Sequence, residues 1–194
     1  MTNEEINKIV RESYDLHFHV GPDVLPRKYN DIQQLAKQQA GCLKGIAVKT
    51  HSLAVNSQIF TFDQTNMAII GSLTISNFTG GLNDSILYAL KTINKDLPFV
   101  IWFPTMHAQN HLEKNYSQYE IPPEWVKDPN FIAREKKDII GISILEKNSQ
   151  KLKSAVKKIV EDIKKHNFIL ATGHLSHQEV KILADYALNL GIKT

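Results

Sequence analysis

Cysteine is nearly missing from this chain of 194 residues: Cys42 is the single one. A lone thiol excludes an intrachain disulfide framework and suits a reducing cytoplasm. No apolar run approaches the ~18 residues that a membrane-spanning helix needs. The opening MTNEEINKIV lacks the apolar core of a secretory signal. Charge of one sign is scarce as well. The formal net charge is +3 and the lysines are mixed with acids, which gives nucleic-acid binding little support. Low-complexity segments are absent. The expectation is a cytoplasmic protein that engages neither membrane nor nucleic acid.

What remains is ordinary globular composition, 42% hydrophobic and 22% charged, at a length that fits one domain over residues 1–194 or part of a larger one. Short apolar runs alternate with amphipathic stretches. The runs are YDLHFH (14–19), KGIAVKT (44–50), MAIIGSLTIS (67–76), PFVIWFP (98–104), IIGISIL (139–145) and FILATG (168–173). Each is short and bounded by turn residues, as buried parallel strands are.

Between them lie helical stripes. Asp31 opens one with Ile32, Leu35 and Ala36 on one face and Gly41 after it. Asn83 can cap a second, with Ile86, Leu87, Leu90 and Ile93 inward. Leu152, Val156, Ile159, Val160 and Ile163 form a third, whose lysines (Lys151, Lys153, Lys157, Lys158, Lys164, Lys165) read as a solvated face. Ser176 and Glu179 make a capping box ahead of Val180, Leu183, Ala184 and Ala187. The order is β-α repeated about six times, which predicts an α/β fold with a parallel sheet. Periodicity does not separate an open doubly wound sheet from a closed barrel. Residues 105–138, with Pro122, Pro123, Trp125 and Pro129, are too long for a plain connection and read as an insertion or lid.

The histidines fall in a pattern. His17 and His19 close the first run, His51 follows the second, His107 and His111 follow the fourth, and His174 ends the sixth; His166 and His177 sit on helical stretches. The C-terminal strand ends of a parallel sheet share one edge, where sites are built. Residues i and i+2 of a strand face the same side, so His17 and His19 can reach one cation together. Asp15 shares that side and could orient a ligating imidazole. For His107 the simplest reading is a solvated loop histidine. Asp23 either lines the mouth of the site or caps its loop. Gly80-Gly81 before a helix could hold a phosphate, but the G-x-G-x-x-G spacing is absent, and a glycine pair is more often a turn.

These residues carry a resemblance. D-L-H-F-H-V-G-P-D at 15–23 resembles the first-strand H-x-H of the amidohydrolase superfamily of metal-dependent TIM-barrel hydrolases. The chain resembles more closely the DUF6282 family, through D-L-H-F-H-V-G-P-D-V-L-P-R-K (15–28), G-I-A-V-K-T-H (45–51), G-G-L-N (80–83), W-F-P-T (102–105), N-H (110–111) and L-A-T-G-H-L-S (170–176). The resemblance implies a (β/α)8 TIM-barrel-like fold, incomplete here with about six β/α units. It implies a divalent metal, zinc first with manganese or iron as alternatives, held by His17, His19 and His174. Lys49, His51 and His111 then stand as catalytic candidates, and Asp23 and Asn110 as substrate-binding ones. Lys49 has two readings, a carbamylated metal bridge or an anchor for an anionic group; superfamily members place the bridging lysine on the fourth strand rather than the second.

A full barrel takes about 250 residues, and the sequence stops at Thr194 where a further strand is expected. Open sheet edges invite pairing with another chain, so the expectations are a homo-oligomer, aggregation or an incomplete site. The implied activity is hydrolysis of a small-molecule ester, lactone, amide or phosphoester. The alternative is a non-catalytic or degenerate metal-binding fragment.

Overall fold

A computed structural model describes residues 1–51, 67–94, 97–115 and 141–192. Its described elements are α1 (Asn3–Arg11), β1 (Tyr14–His19), α2 (Ile32–Gln39), β2 (Gly45–Lys49), β3 (Ala68–Thr74), a 3-10 turn (Asn77–Thr79), α3 (Ser85–Asn94), β4 (Phe99–Trp102), α4 (Gln109–Asn115), α5 (Ser154–Lys165), β5 (Ile169–Ala171) and α6 (His177–Asn189). The five strands form one parallel sheet in the order β1-β2-β3-β4-β5. The fold is α/β, as expected, and the sheet curls into a half-barrel. Each strand lies beside its predecessor, so the strand order never reverses as it does in a doubly wound sheet.

The strands follow from their composition. All five residues of β2 are buried, so GIAVK is apolar up to its last position, Lys49. Ser72 and Thr74 on β3 are buried hydroxyls, and both are satisfied. They donate to the Val48 and Thr50 carbonyls at 2.7 and 2.9 Å, tying the end of β2 to β3. On β1 the register steps from Tyr14↔Gly45 and Asp15↔Ile46 to Phe18↔Val48 and His19↔Lys49. One extra residue is accommodated between Asp15 and Phe18, which is a β-bulge.

The helices match their stripes. Asp31 accepts from the Gln34 amide, and Ile32, Leu35 and Ala36 are buried against β1–β3. Val156, Ile159, Val160 and Ile163 of α5 are fully buried with Leu87, Leu90 and Leu183. Each such side chain is worth about 1.5–3 kcal/mol relative to exposure. Ile93, read as inward, is 50% exposed in the last turn of α3, past the end of its stripe. Of the α5 lysines, Lys153 departs from the solvated face: its Nζ donates to the Ser143 carbonyl at 2.6 Å. Helix α1 was not foreseen. Its signal was Thr2-x-x-Glu5, a complete capping box.

The run 139–145 is corrected. Its described part, 141–145, belongs to no strand of the sheet, and β4 pairs directly with β5. The backbone hydrogen bonds of this segment go elsewhere. The Ile142 amide donates to the His107 carbonyl, the Ile142 carbonyl accepts from Gln109, and the Ile144 amide donates to Glu179 Oε1. Glu179 is the organiser: besides capping α6 it accepts from Ser143 Oγ and from the Ser176 amide and hydroxyl. Among the described residues five strands therefore stand where six were expected. Of the proposed lid, residues 105–115 form a turn and α4 packed into the fold, with Ala108 and Leu112 buried. The rest of it, residues 116–138, lies outside the described residues.

Candidate functional site

The C-terminal ends of β1, β2, β4 and β5 deliver a cluster of imidazoles around one lysine. His17 lies beside His19, with ring centroids 5.2 Å apart. His19 stacks on His51 at 5.0 Å, and His17 lies 4.7 Å from the Trp102 ring. On the β5 side, His174 Nδ1 is 2.9 Å from His111 Nδ1. Positive φ at Gly173 makes the turn that presents His174, and a Cβ there would collide with the Phe103 carbonyl. Asn110 Nδ2 donates to the His174 carbonyl at 3.1 Å, so this amide steadies the turn.

Asp23 anchors the other side. Its side chain is fully buried. It accepts from Arg27 Nε and Nη2 at 2.8 and 2.6 Å, from the His51 amide at 2.7 Å, and from His51 Nδ1 at 3.1 Å. Burial pushes this carboxyl up, but the hydrogen bonds and charges of its histidine and arginine neighbours outweigh that, and its pKa falls well below the usual carboxylate range. His19 Nδ1 is 3.9 Å from Asp23 Oδ2, too long for a hydrogen bond. Asp15 does not orient an imidazole; its Oδ1 accepts from the His17 backbone amide at 2.9 Å.

Lys49 ends β2 directly across from His19 and is 1% exposed. Its ammonium is 3.0 Å from His17 Nε2 and 4.2 Å from the centroid of Trp102. Burial, and then the nearby Arg27 charge, lower its pKa to about 8. Burial also lowers the histidines. His17 falls to about 4, helped by Lys49, and His174 to about 4, helped by His111. His19 and His51 shift down for the same first reason, opposed by Asp23. At neutral pH His17, His19, His51 and His174 are therefore neutral rings, each with one lone pair.

Neutral imidazole is the form that binds metal, so the donor chemistry fits a divalent ion. If His174 donates its Nδ1 hydrogen to His111, and His51 donates its own to Asp23, both keep Nε2 as a ligand. Two contacts compete. Lys49 uses the His17 Nε2 lone pair, so a cation on His17 must displace it. Among the described residues, the set whose donor atoms lie within 4.8 Å of one another is His19, Asp23 and His51, rather than His17, His19 and His174. In that set Arg27 Nη2 already bridges Asp23 Oδ2 and His51 Nδ1, at 2.6 and 3.1 Å. The guanidinium stands where a cation would be drawn.

His107 is not solvated. It is 1% exposed, edge-on to Phe78 at 4.5 Å, and its carbonyl receives Ile142. Gly80 and Gly81 make a turn, with amides donating to Asn77 and Ser76, so they offer no open phosphate cradle. Arg27 and Trp102 were missed as site residues. The signal for Arg27 was its place four residues after Asp23; that for Trp102 was its place at a strand end, opening the W-F-P-T stretch.

Among the described residues no helix is long and apolar enough to cross a membrane. No curated protein and no solved structure matches the chain. The model of DUF6282, a family of unknown function, matches residues 12–194, and the chain belongs to that family.

Proposed function

We propose that the protein is a metal-dependent hydrolase of the amidohydrolase type, with its curled sheet as part of a (β/α)8-like barrel. The observation that carries this reading is the convergence of neutral imidazoles from different strands at one sheet edge. His17, His19 and His174 would hold the ion, zinc first, with manganese or iron as alternatives. Such an ion lowers the pKa of a bound water from 15.7 toward ~7 and polarises a carbonyl or phosphoryl oxygen. The residues around it have separate tasks. Lys49 donates hydrogen bonds to the substrate. His51, backed by Asp23, and His111, beside His174, take and return protons. The substrate class is a small-molecule ester, lactone, amide or phosphoester, and β1 and β5, at the two ends of the described sheet, suit a homo-oligomer.

One observation favours a second reading, a non-catalytic metal-binding protein. Among the described residues, Asp23 is the carboxylate within 4 Å of these imidazoles, and it is closed by Arg27 and His51. The test is elemental analysis of the purified protein beside a His17→Ala/His19→Ala double variant, followed by a hydrolysis panel. Stoichiometric zinc, manganese or iron in the parent, lost in the variant, supports the metal site; turnover then separates the two readings. No metal in either, even after reconstitution, sinks both.

A further inference from the structure

Among the described residues the charges at the strand-end site do not balance. Two cations are nearly buried there, Arg27 with a 12% exposed side chain and Lys49 at 1%. One anion faces them, Asp23, and Arg27 takes it with two short hydrogen bonds. Among the described residues no carboxylate pairs with Lys49. Its partners are an imidazole nitrogen and the face of an indole. Both are weak compensation for a buried ammonium, which is rarely kept inside a protein without a paired charge. An ammonium has three donors, and His17 takes one. Asp23 answers Arg27, and among the described residues no carboxylate answers Lys49, so one buried positive charge is left over. A buried cation left so attracts an anion.

We propose that Lys49 anchors an oxyanion, a carboxylate or phosphate group, and that the site therefore takes a small anionic molecule. The identification of that molecule as a substrate rests on the hydrolase reading; the anion site itself does not. Lys49 donates to the oxyanion from the β2 side, while Trp102 walls the ammonium off from water on the β4 side. Arg27 differs in that its charge is already answered, through Nε and Nη2, by the Asp23 carboxylate. A lysine kept for this purpose is an expense to the fold. Replacing it with an apolar side chain of similar length then relieves the folded state while removing the ligand.

The experiment uses the full chain, stripped of metal with a chelator and verified metal-free by elemental analysis. Isothermal titration is run with inorganic phosphate and, separately, with malonate, on the parent, Lys49→Met and Lys49→Arg. The expected result is one site per chain for at least one of the two anions, weakened by salt. Lys49→Met weakens it tenfold or more, Lys49→Arg retains part of it, and Lys49→Met melts at or above the parent temperature. Phosphate alone or malonate alone would each support the site and say which oxyanion it prefers. No binding to the parent, equal binding to Lys49→Met, or a Lys49→Met variant that melts several degrees lower would overturn the proposal. Anion binding by a parent that never takes up metal would leave this site standing and remove the hydrolase reading.

Discussion

Arg27 and Lys49 are both cations drawn into the same protein interior, and they are treated differently. Arg27 lies on the loop after β1 and is answered by a carboxylate four residues earlier in the chain. Lys49 lies at the end of an all-buried strand and is answered by rings. The first arrangement is self-contained: Asp23, Arg27 and His51 satisfy one another and fix the loop against β2. The second is left open. A closed ion pair holds structure in place, whereas an unanswered charge is available to something that arrives from outside.

The largest effect expected is on the closed pair. Asp23→Ala leaves Arg27 buried without its partner, which costs about 3–5 kcal/mol. At this chain length that is a fall in melting temperature of about 10 °C, read by thermal denaturation. The double variant Asp23→Ala/Arg27→Met should recover more than half of that loss, because no buried charge is then stranded. Equal loss in single and double variants would show that the hydrogen bonds to His51 matter more than the charge.

The acid side comes next. His17 and His174 ionise near pH 4 in the fold but near 6.5 when unfolded, so between these values the unfolded chain binds more protons. Their contribution is complete above pH 6.5 and is lost as the pH falls toward 4. A melting temperature that drops by a few degrees over that window, and drops less in His174→Gln, is expected.

The smallest effect has the opposite sign. Lys49 ionises near pH 8 folded and near 10.5 unfolded, so the fold bears the cost of its charge at neutral pH and is relieved between 8 and 10.5. Lys49→Met should therefore melt slightly above the parent at pH 7, with the difference closing above pH 10.5. A difference that persists there would assign it to packing instead.

Much of this was legible in the residues. Short apolar runs and capped stripes announce parallel strands and helices, and histidines at run ends announce a site. The failures have physical causes. IIGISIL is as apolar as a strand, but its described part gives its backbone hydrogen bonds to His107, Gln109 and Glu179. Apolarity reports burial and is silent on partners. The alternation rule that placed Asp15 beside the imidazoles assumed an unbroken strand, and the bulge before Phe18 breaks it. Ligand sets depend on ångström distances between loops, which spacing in the chain does not encode. Among the described residues the donor group that comes together joins His19 to Asp23 and His51.

The unreversed strand order also shapes how the chain assembles. In β1 through β4 each strand docks onto the one made just before it, so each new pairing closes a comparatively modest loop. The pairing of β5 with β4 waits for residues 103–168, and each doubling of a closed loop costs about 0.6 kcal/mol more in chain entropy. During synthesis, which runs at about 5–20 residues per second, the first four strands have time to settle before β5 exists. On that order His17, His19 and Lys49 should come together before the pairing that brings His174 against His111.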